Sequence, residues 1–329
     1  MTSITPHHRW RMDSAKWFLM GVCDVIPGIS GGTIAFITGI YERLIDALHG
    51  FNMVALRHLL AGRLGDARTT IDGWFLVRLF GGILVAIVSV AHLVQHLLET
   101  APIAVWGFFW WLIAMSSVML LSREIAAVRR RGERLHRSTW WWMAVGIAIG
   151  RWVTLLPLMQ ASGDLWWFFA SGMIAISAMI LPGISGSYIL VILGTYVDIL
   201  AALTDTISHL QAVVRSMDWA ALWSPSMSII AVFMGGAVIG LLAFAKLLHR
   251  IKQHYHTTLV VLMTWFMIGA LGKVRPRQTV VSTYVDRHGD IQTLQTALSR
   301  PASSGDALRW AGMMLVGMIL IGVVWWWQR

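Results

Sequence analysis

The sequence predicts an all-α polytopic membrane protein made of two inverted repeats, each a re-entrant helical hairpin followed by three transmembrane helices. Three observations lead to this prediction: the composition, a duplicated helix-breaking pentapeptide, and the placement of arginine and lysine between apolar runs. Hydrophobic residues make up 57% and charged residues 13% of the 329 residues, whereas soluble domains carry about 25% charged residues. The composition therefore indicates an integral membrane protein.

Six apolar runs approach the length of about 20 residues that a helix needs to cross a bilayer. They span 75–98, 103–121, 140–159, 229–248, 257–271 and 310–327. The formal charge of +10 would favour nucleic-acid binding in a soluble protein, but no nucleic-acid motif accompanies it. The charge is expected in cytoplasmic loops instead. Cys23 is the single cysteine, so no internal disulfide or thiolate metal cluster is expected, and neither is a metal or a cofactor.

The pentapeptide PGISG occurs at 27–31 and again at 182–186, an offset of 155 residues. At that offset nine of the 16 residues in 26–41 are identical to their counterparts. Beyond the pentapeptide, the identities are Ile34 with Ile189, Ile37 with Ile192, Gly39 with Gly194 and Tyr41 with Tyr196. With a shift of one residue, the glycine pair at 81–82 matches the pair at 235–236. Matches at a nearly constant spacing indicate an internal duplication.

The positive charge predicts how the interrupted segments sit in the membrane. If the first segment crossed once, the loop 122–138 with its six arginines would be external, against the positive-inside rule. If the segment enters and returns to the same side, the N-terminus, this loop and the basic residues at 246–252 are all cytoplasmic. Proline removes an N–H and glycine permits unusual backbone angles, so each PGISG suits the tip of a re-entrant hairpin.

This topology divides the chain into two halves. The first repeat covers 1–160 with its hairpin at 16–48. The second covers 161–329 with its hairpin at 165–203 and an external polar insertion at 273–309. An odd number of crossings inverts the second half, so the hairpins enter from opposite sides and their tips are expected to meet. Paired broken helices in inverted repeats point to a transporter and to its binding site.

Each tip precedes a predicted helix, at 34–47 or 188–203, whose N-terminus offers free N–H groups and the positive end of its dipole. Glycine lets the backbone approach an anion and hydroxyl groups add donors, which suits a phosphate. Close helix packing through small residues is the alternative interpretation. The substrate-binding candidates at the tips are Pro27, Gly28, Ser30, Gly31, Gly32, Thr33, Pro182, Gly183, Ser185, Gly186 and Ser187.

Charged residues within the apolar segments are few, so each is a functional candidate. Arg43 and Arg78 are candidates for neutralising a bound phosphate, and Asp24 and Glu42 are candidates for proton coupling. The counterpart of Asp24 in the second repeat is Met179, so hairpin geometry does not require the acid. A purely interfacial position at the end of the hairpin is the alternative for Glu42 and Arg43.

The stretches MGVCDVIPGISGGTIAFITGIYERLIDAL and SAMILPGISGSYILVILGTYVDIL closely resemble the two hallmark motifs of the PopT family of polyprenyl-phosphate transporters. The resemblance extends over both halves, from about residue 16 to 271. It implies that the protein returns undecaprenyl phosphate, the lipid carrier of cell-wall synthesis, from the outer to the inner leaflet of the bacterial cytoplasmic membrane. It also implies functional roles for the tip candidates, for Asp24 and for Glu42. Spacing and composition alone do not identify this substrate.

Two other functions fit parts of the pattern. An integral-membrane polyprenyl-pyrophosphate phosphatase also uses re-entrant hairpins, but the tips offer Ser30 and Ser185 with only Asp24 nearby and no histidine. A small-anion transporter would use the same tips without a lipid. The sequence therefore predicts a multi-pass transporter rather than an enzyme, with a cytoplasmic N-terminus. Its expected partners are undecaprenyl phosphate and membrane lipids, and no nucleic acid.

Overall fold

The computed structural model describes residues 6–24, 30–132, 138–160, 162–216, 223–273, 278–285, 291–298 and 304–327. The described helices of the first half are α1 (Pro6–Asp24), α2 (Gly31–Thr38), α3 (Tyr41–His49), α4 (Met53–Leu60), α5 (Leu64–Thr70), α6 (Gly73–Thr100), α7 (Pro102–Arg130) and α8 (Ser138–Leu155). Those of the second half are α9 (Leu165–Ile180), α10 (Gly186–Ile192), α11 (Tyr196–Ser216), α12 (Pro225–Ala270) and α13 (Ser304–Trp327).

Four of the described helices are long and apolar enough to cross a membrane. These segments are Gly73–Val90 in α6, Ile103–Arg130 in α7, Tyr196–Ser216 in α11 and Pro225–Ala270 in α12. The prediction of a helical membrane protein is therefore confirmed, while the inverted relation of the halves stays a prediction. The second hairpin was expected to end at residue 203, but α11 continues to Ser216.

The predicted second arm of each hairpin is not one helix, because a glycine interrupts it. Gly39, with φ of 78°, separates α2 from α3, and Gly194, with φ of 74°, separates α10 from α11. This left-handed conformation is open to glycine at no steric cost. The continuous helices predicted at 34–47 and 188–203 were therefore wrong. The break explains why glycine occupies both positions at the 155-residue offset.

The first arm of each hairpin packs closely against a long apolar helix of its own half. A Cβ added at Gly82 of α6 would lie 2.7 Å from Cβ of Trp17 on α1. A Cβ added at Gly236 of α12 would collide with the carbonyl oxygen of Phe169 on α9. Small residues permit such approach between membrane helices. The other glycine of each pair faces open space, so one glycine per pair is a packing position.

The main buried apolar cluster joins the first hairpin to α6, α7 and α12, with Ile45, Phe75 and Met267 almost fully buried in it. A second cluster surrounds the second tip and includes Ile184 and Ala270. Helix α12 therefore contacts both hairpins. It combines the two predicted spans 229–248 and 257–271, and it is broken at Tyr255, where φ is −137° and ψ is 45°.

Two features depart from the predicted pattern. The polar insertion contains an antiparallel hairpin of β1 (Gln278–Val285) and β2 (Ile291–Leu298), where no strand was expected. The basic loop after the first hairpin contains the short helices α4 and α5. Both features lie outside the long apolar runs, where hydropathy gave no indication of secondary structure.

Candidate functional site

The first tip lies between α1, which ends at Asp24, and α2, which begins at Gly31. Pro27 and Gly28 lie outside the described residues, so their predicted roles stay predictions. The Gly31 N–H donates to Oδ1 of Asp24 at 2.6 Å, and the Gly32 N–H donates to Oγ of Ser30 at 3.1 Å. Helix N-termini leave N–H groups without intrahelical acceptors. At α2, two of these groups are satisfied by side chains of the chain itself.

The two tips contact each other directly. The Ser30 hydroxyl donates to the carbonyl oxygen of Met179 at 2.9 Å, and the Gly183 N–H donates to Oγ1 of Thr33 at 2.9 Å. Ser30 is 1% exposed and Thr33 is fully buried. These two hydroxyls, predicted as substrate ligands, join the hairpins in this conformation. The expected meeting of the tips is therefore present.

The second tip is more exposed than residues 30–33, the described part of the first tip. Pro182 is buried, and Gly183 adopts φ of 102°, a conformation that other residues rarely adopt. Ser185 precedes α10 as its N-cap residue but makes no side-chain capping hydrogen bond. Its hydroxyl instead lies 2.8 Å from that of Ser187, whose side chain is exposed.

The two tips are therefore chemically different despite their identical pentapeptides. At the first tip, the carboxylate of Asp24 occupies the position that an anion would take at the start of α2. At the second tip, Ser185 and Ser187 place two hydroxyl groups beside an N-terminus without a side-chain cap. The described part of the second tip therefore offers hydroxyl groups, whereas the first tip carries a carboxylate.

The predicted phosphate-neutralising arginines contact other groups in this conformation. Arg43 donates from Nε to Oδ2 of Asp72 at 2.7 Å, and its guanidinium lies 4.4 Å from the centre of the Phe75 ring. The Arg78 guanidinium lies 5.5 Å from the centre of the Trp74 ring. Both arginines are therefore placed around the first turns of α6, and their roles as phosphate ligands stay predictions.

A cluster of ionisable side chains, which the sequence did not predict, surrounds the break in α12. Nε2 of His256 lies 2.9 Å from Oε1 of Glu42, and its Nδ1 lies 3.7 Å from Oε1 of Glu124. The Thr257 hydroxyl donates to the same Glu124 oxygen at 2.6 Å. One histidine next to the break at Tyr255 thus links α3 to α7.

The same face of α3 makes a second connection to α12. Nζ of Lys252 lies 2.7 Å from both carboxylate oxygens of Asp46, and Nδ1 of His249 lies 2.9 Å from Oδ1 of Asp46. Glu42 and Asp46 are four residues apart, as are Lys252 and His256. This spacing places each pair on one helix face. The spacing was visible in the sequence, but the pairing of residues more than 200 positions apart was not.

A small cleft lies between α2, α3 and α12, lined by Glu42, Lys252 and His256 together with apolar side chains. The hydrogen bond from His256 holds the pKa of the Glu42 carboxyl below its usual value. A lowered pKa keeps Glu42 ionised at neutral pH. Its stabilising contribution is therefore lost only as the pH falls through this lowered value. In this conformation Glu42 is better suited to an ion pair than to proton uptake.

We expect replacement of His256 by alanine to destabilise the protein modestly. The change leaves Glu42 and the buried Glu124 without this partner, although Thr257 still donates to Glu124. A loss of about 1 kcal/mol is expected for such a partly exposed pair, seen as a lower thermal midpoint in detergent. His254→Ala is the control, since this exposed side chain contacts Arg250 within its own helix. Equal midpoints for the two variants would show that the cluster contributes nothing.

The helices and joined hairpins define the class of the molecule as a multi-pass membrane protein. Residues 20–292 match the model of the VCA0040-like family, described as undecaprenyl phosphate translocase-like. The chain belongs to this family, and the predicted resemblance is confirmed. No solved structure matches the chain.

Two relatives are both named polyprenyl-phosphate transporter. The protein from Vibrio cholerae serotype O1 is 35% identical over 285 residues, which cover 86% of this chain and 84% of the relative. The protein from Staphylococcus aureus is 28% identical over 270 residues, which cover 79% of this chain and 84% of the relative. The family and these names indicate a transporter rather than an enzyme.

Proposed function

We propose that this protein moves undecaprenyl phosphate from the outer to the inner leaflet of the bacterial cytoplasmic membrane, which returns the lipid carrier for reuse in cell-wall synthesis. The observation that supports the proposal is the contact between two broken hairpins, one of which presents the accessible hydroxyl pair of Ser185 and Ser187. The names of the relatives supply the class of lipid. The hydroxyl groups at the joined tips support this position for its phosphate.

The phosphate is the part of the lipid that needs a protein, because a charge in hydrocarbon is costly. The polyprenyl chain is apolar and stays in the bilayer, while the head group is held at the tips. Hydroxyl and backbone donors replace the water that the phosphate loses. Phosphate that binds at the second tip also comes close to the inter-tip hydrogen bond between Gly183 and Thr33. Binding and tip separation are thereby linked.

Asp24 provides a route to proton coupling in the same proposal. Its carboxylate already accepts from the first N–H of α2. A phosphate that moves toward the first tip meets this negative charge, and a proton on Asp24 would remove the repulsion. Glu42 is the second candidate of the sequence, but His256 and Lys252 surround it. The geometry therefore favours Asp24 as the group that takes up the proton.

We expect the double variant Ser185→Ala/Ser187→Ala to bind undecaprenyl phosphate at least tenfold more weakly. Two lost hydrogen bonds to a charged group are worth about 1.5–3 kcal/mol each, and 1.4 kcal/mol corresponds to a tenfold change. Native mass spectrometry of the purified protein measures binding, and a leaflet-exchange assay in proteoliposomes measures transport. Neutral polyprenol controls for attraction to the lipid tail alone.

The matched control is Thr204→Ala/Ser208→Ala, which removes two exposed hydroxyls of α11 that donate to backbone carbonyls of their own helix. This variant is expected to bind like the wild type. Equal binding of polyprenol and its phosphate, or equal loss in both double variants, would contradict the proposal. Flux of inorganic phosphate without lipid would instead support a small-anion transporter.

A further inference from the structure

The segment that connects the first hairpin to α6 exposes a continuous apolar surface. Within α4 and the start of α5, Met53 is 71% exposed, Leu60 is 80% exposed and Leu64 is 68% exposed. Single exposed apolar side chains are common, but adjacent ones form a patch that requires a partner or a membrane. This segment, residues 53–71, is called the arm below.

The apolar surface of the arm is directed away from the protein. Ala55 is the buried residue of α4, at 3% exposure. Met53, Leu56 and Leu60 follow at helical spacings of three and four residues. They lie on the side of α4 that is opposite to Ala55, and all three are at least 46% exposed. The side chains that would normally enter a core therefore point outward.

The arm is also positively charged. It contains Arg57, Arg63 and Arg68 against the single acid Asp66. The Arg68 guanidinium lies 5.1 Å from the ring centre of Trp74, which is itself 53% exposed. Apolar side chains together with arginine and a neighbouring tryptophan are the composition of segments that lie in a membrane interface. Arginine adds attraction to anionic lipid head groups.

Both ends of the arm lie close to the start of α6, a helix long and apolar enough to cross a membrane. At its end, Asp72 pairs with Arg43 of α3, and the apolar span of α6 begins at the next residue, Gly73. A Cβ added at Gly50, just before the arm, would collide with the backbone at Thr70. The arm is thus held at the level where the bilayer begins. A short helix suffices for binding to the membrane surface in this position, because its attachment to α6 keeps it at a high effective concentration near the lipids.

From these observations we infer that the arm lies on the bilayer surface and binds anionic lipid head groups through its arginines, with the apolar face of α4 inserted between the lipids. The partner is the lipid leaflet at which α6 begins. A second protein is not required, because the lipid surface supplies both the apolar layer and the negative charge. The inference is independent of the substrate that the protein transports.

The test places an environment-sensitive NBD fluorophore on a single introduced cysteine in the full-length protein. Leu60→Cys reports on the apolar face. Asp66→Cys is the control, because the aspartate side chain at this position is expected to face water. The native Cys23 is buried, and labelling of the unmodified protein controls for any reaction at this cysteine. Each labelled protein is placed in nanodiscs of phosphatidylcholine alone or with phosphatidylglycerol. Iodide quenches probes in water, and nitroxide lipids quench probes in the bilayer.

We expect the probe at position 60 to shift its emission to shorter wavelength, to resist iodide and to be quenched by nitroxide lipid. The probe at position 66 should show the reverse. Phosphatidylglycerol should favour the membrane-bound state of the probe at position 60. Adding Arg57→Gln/Arg63→Gln should reduce this preference for phosphatidylglycerol over phosphatidylcholine by roughly fivefold for each arginine. A probe at position 60 that iodide quenches in both lipids overturns the inference. Protection of the probe at position 60 from iodide that appears only with two copies of the protein per nanodisc also overturns the inference. That result would identify a second copy as the partner.

Discussion

Replacing Gly32 by alanine is expected to abolish most transport. The added Cβ would lie 2.8 Å from the carbonyl oxygen of Met179 and 3.1 Å from that of Ile180. Both neighbours are backbone atoms at the contact between the tips, so the tips must move apart. Overpacking of this kind typically costs about 1–3 kcal/mol. If transport needs the joined tips, the loss in a leaflet-exchange assay should be at least about tenfold.

The matched control is Gly81→Ala, because a Cβ at this glycine of α6 meets nothing within 4 Å. Alanine is also the better helix former, so this variant should keep wild-type transport and stability. Measuring the amount of folded protein for both variants separates a transport defect from a folding defect. Wild-type transport by Gly32→Ala would mean that the tip contact is not needed for function.

Two substitutions of Asp24 are expected to differ in their effects. Asp24→Ala removes the acceptor of the Gly31 N–H in the buried tip. An unsatisfied buried donor costs about 1–3 kcal/mol, so we expect transport to fall at least about fivefold. Asp24→Asn keeps an acceptor for this N–H but removes the charge and the titrating group. It should therefore keep binding of the lipid phosphate but lose the dependence of transport on a pH gradient.

Both variants are measured in proteoliposomes with and without an imposed pH gradient, with binding by native mass spectrometry as the parallel readout. If Asp24→Asn responds to the gradient like the wild type, Asp24 is not the proton carrier, and Glu42→Gln is the next variant to measure. A wild-type protein that shows no response to the gradient would remove proton coupling from the proposal.

The sequence predicted the helical membrane class and the contact between the tips because both depend on local or repeated patterns. Long apolar runs identify helices by length alone, and the 155-residue offset aligned two pentapeptides that then contact through Thr33 and Gly183. The same alignment paired Gly39 with Gly194, although it did not show that both interrupt a helix. A repeated glycine is visible in a sequence, but its sign of φ is not.

The remaining features depend on which residues meet in space. Nothing local indicates that Glu42 meets His256, because the two residues are 214 positions apart and belong to different helices. The chemical difference between the tips was only partly predictable. Met179 in place of the acid showed that the repeats differ, but the bond from Gly31 to Asp24 appears only in the folded hairpin. Patterns in a single sequence show which residue types lie in which segment. Which of these residues contact each other is known only from the folded structure.

The two hydrogen bonds between the tips bear on how tightly the membrane stays sealed. Each bond uses one backbone group, the Met179 carbonyl and the Gly183 N–H. If no water reaches the separated tips, both groups are left unsatisfied, at about 1–3 kcal/mol each, or about 2–6 kcal/mol together. At 1.4 kcal/mol per factor of ten, the separated state without a ligand is disfavoured by roughly 30-fold to 10⁴-fold. A protein that opens so rarely without cargo dissipates little of the ion gradients across its membrane.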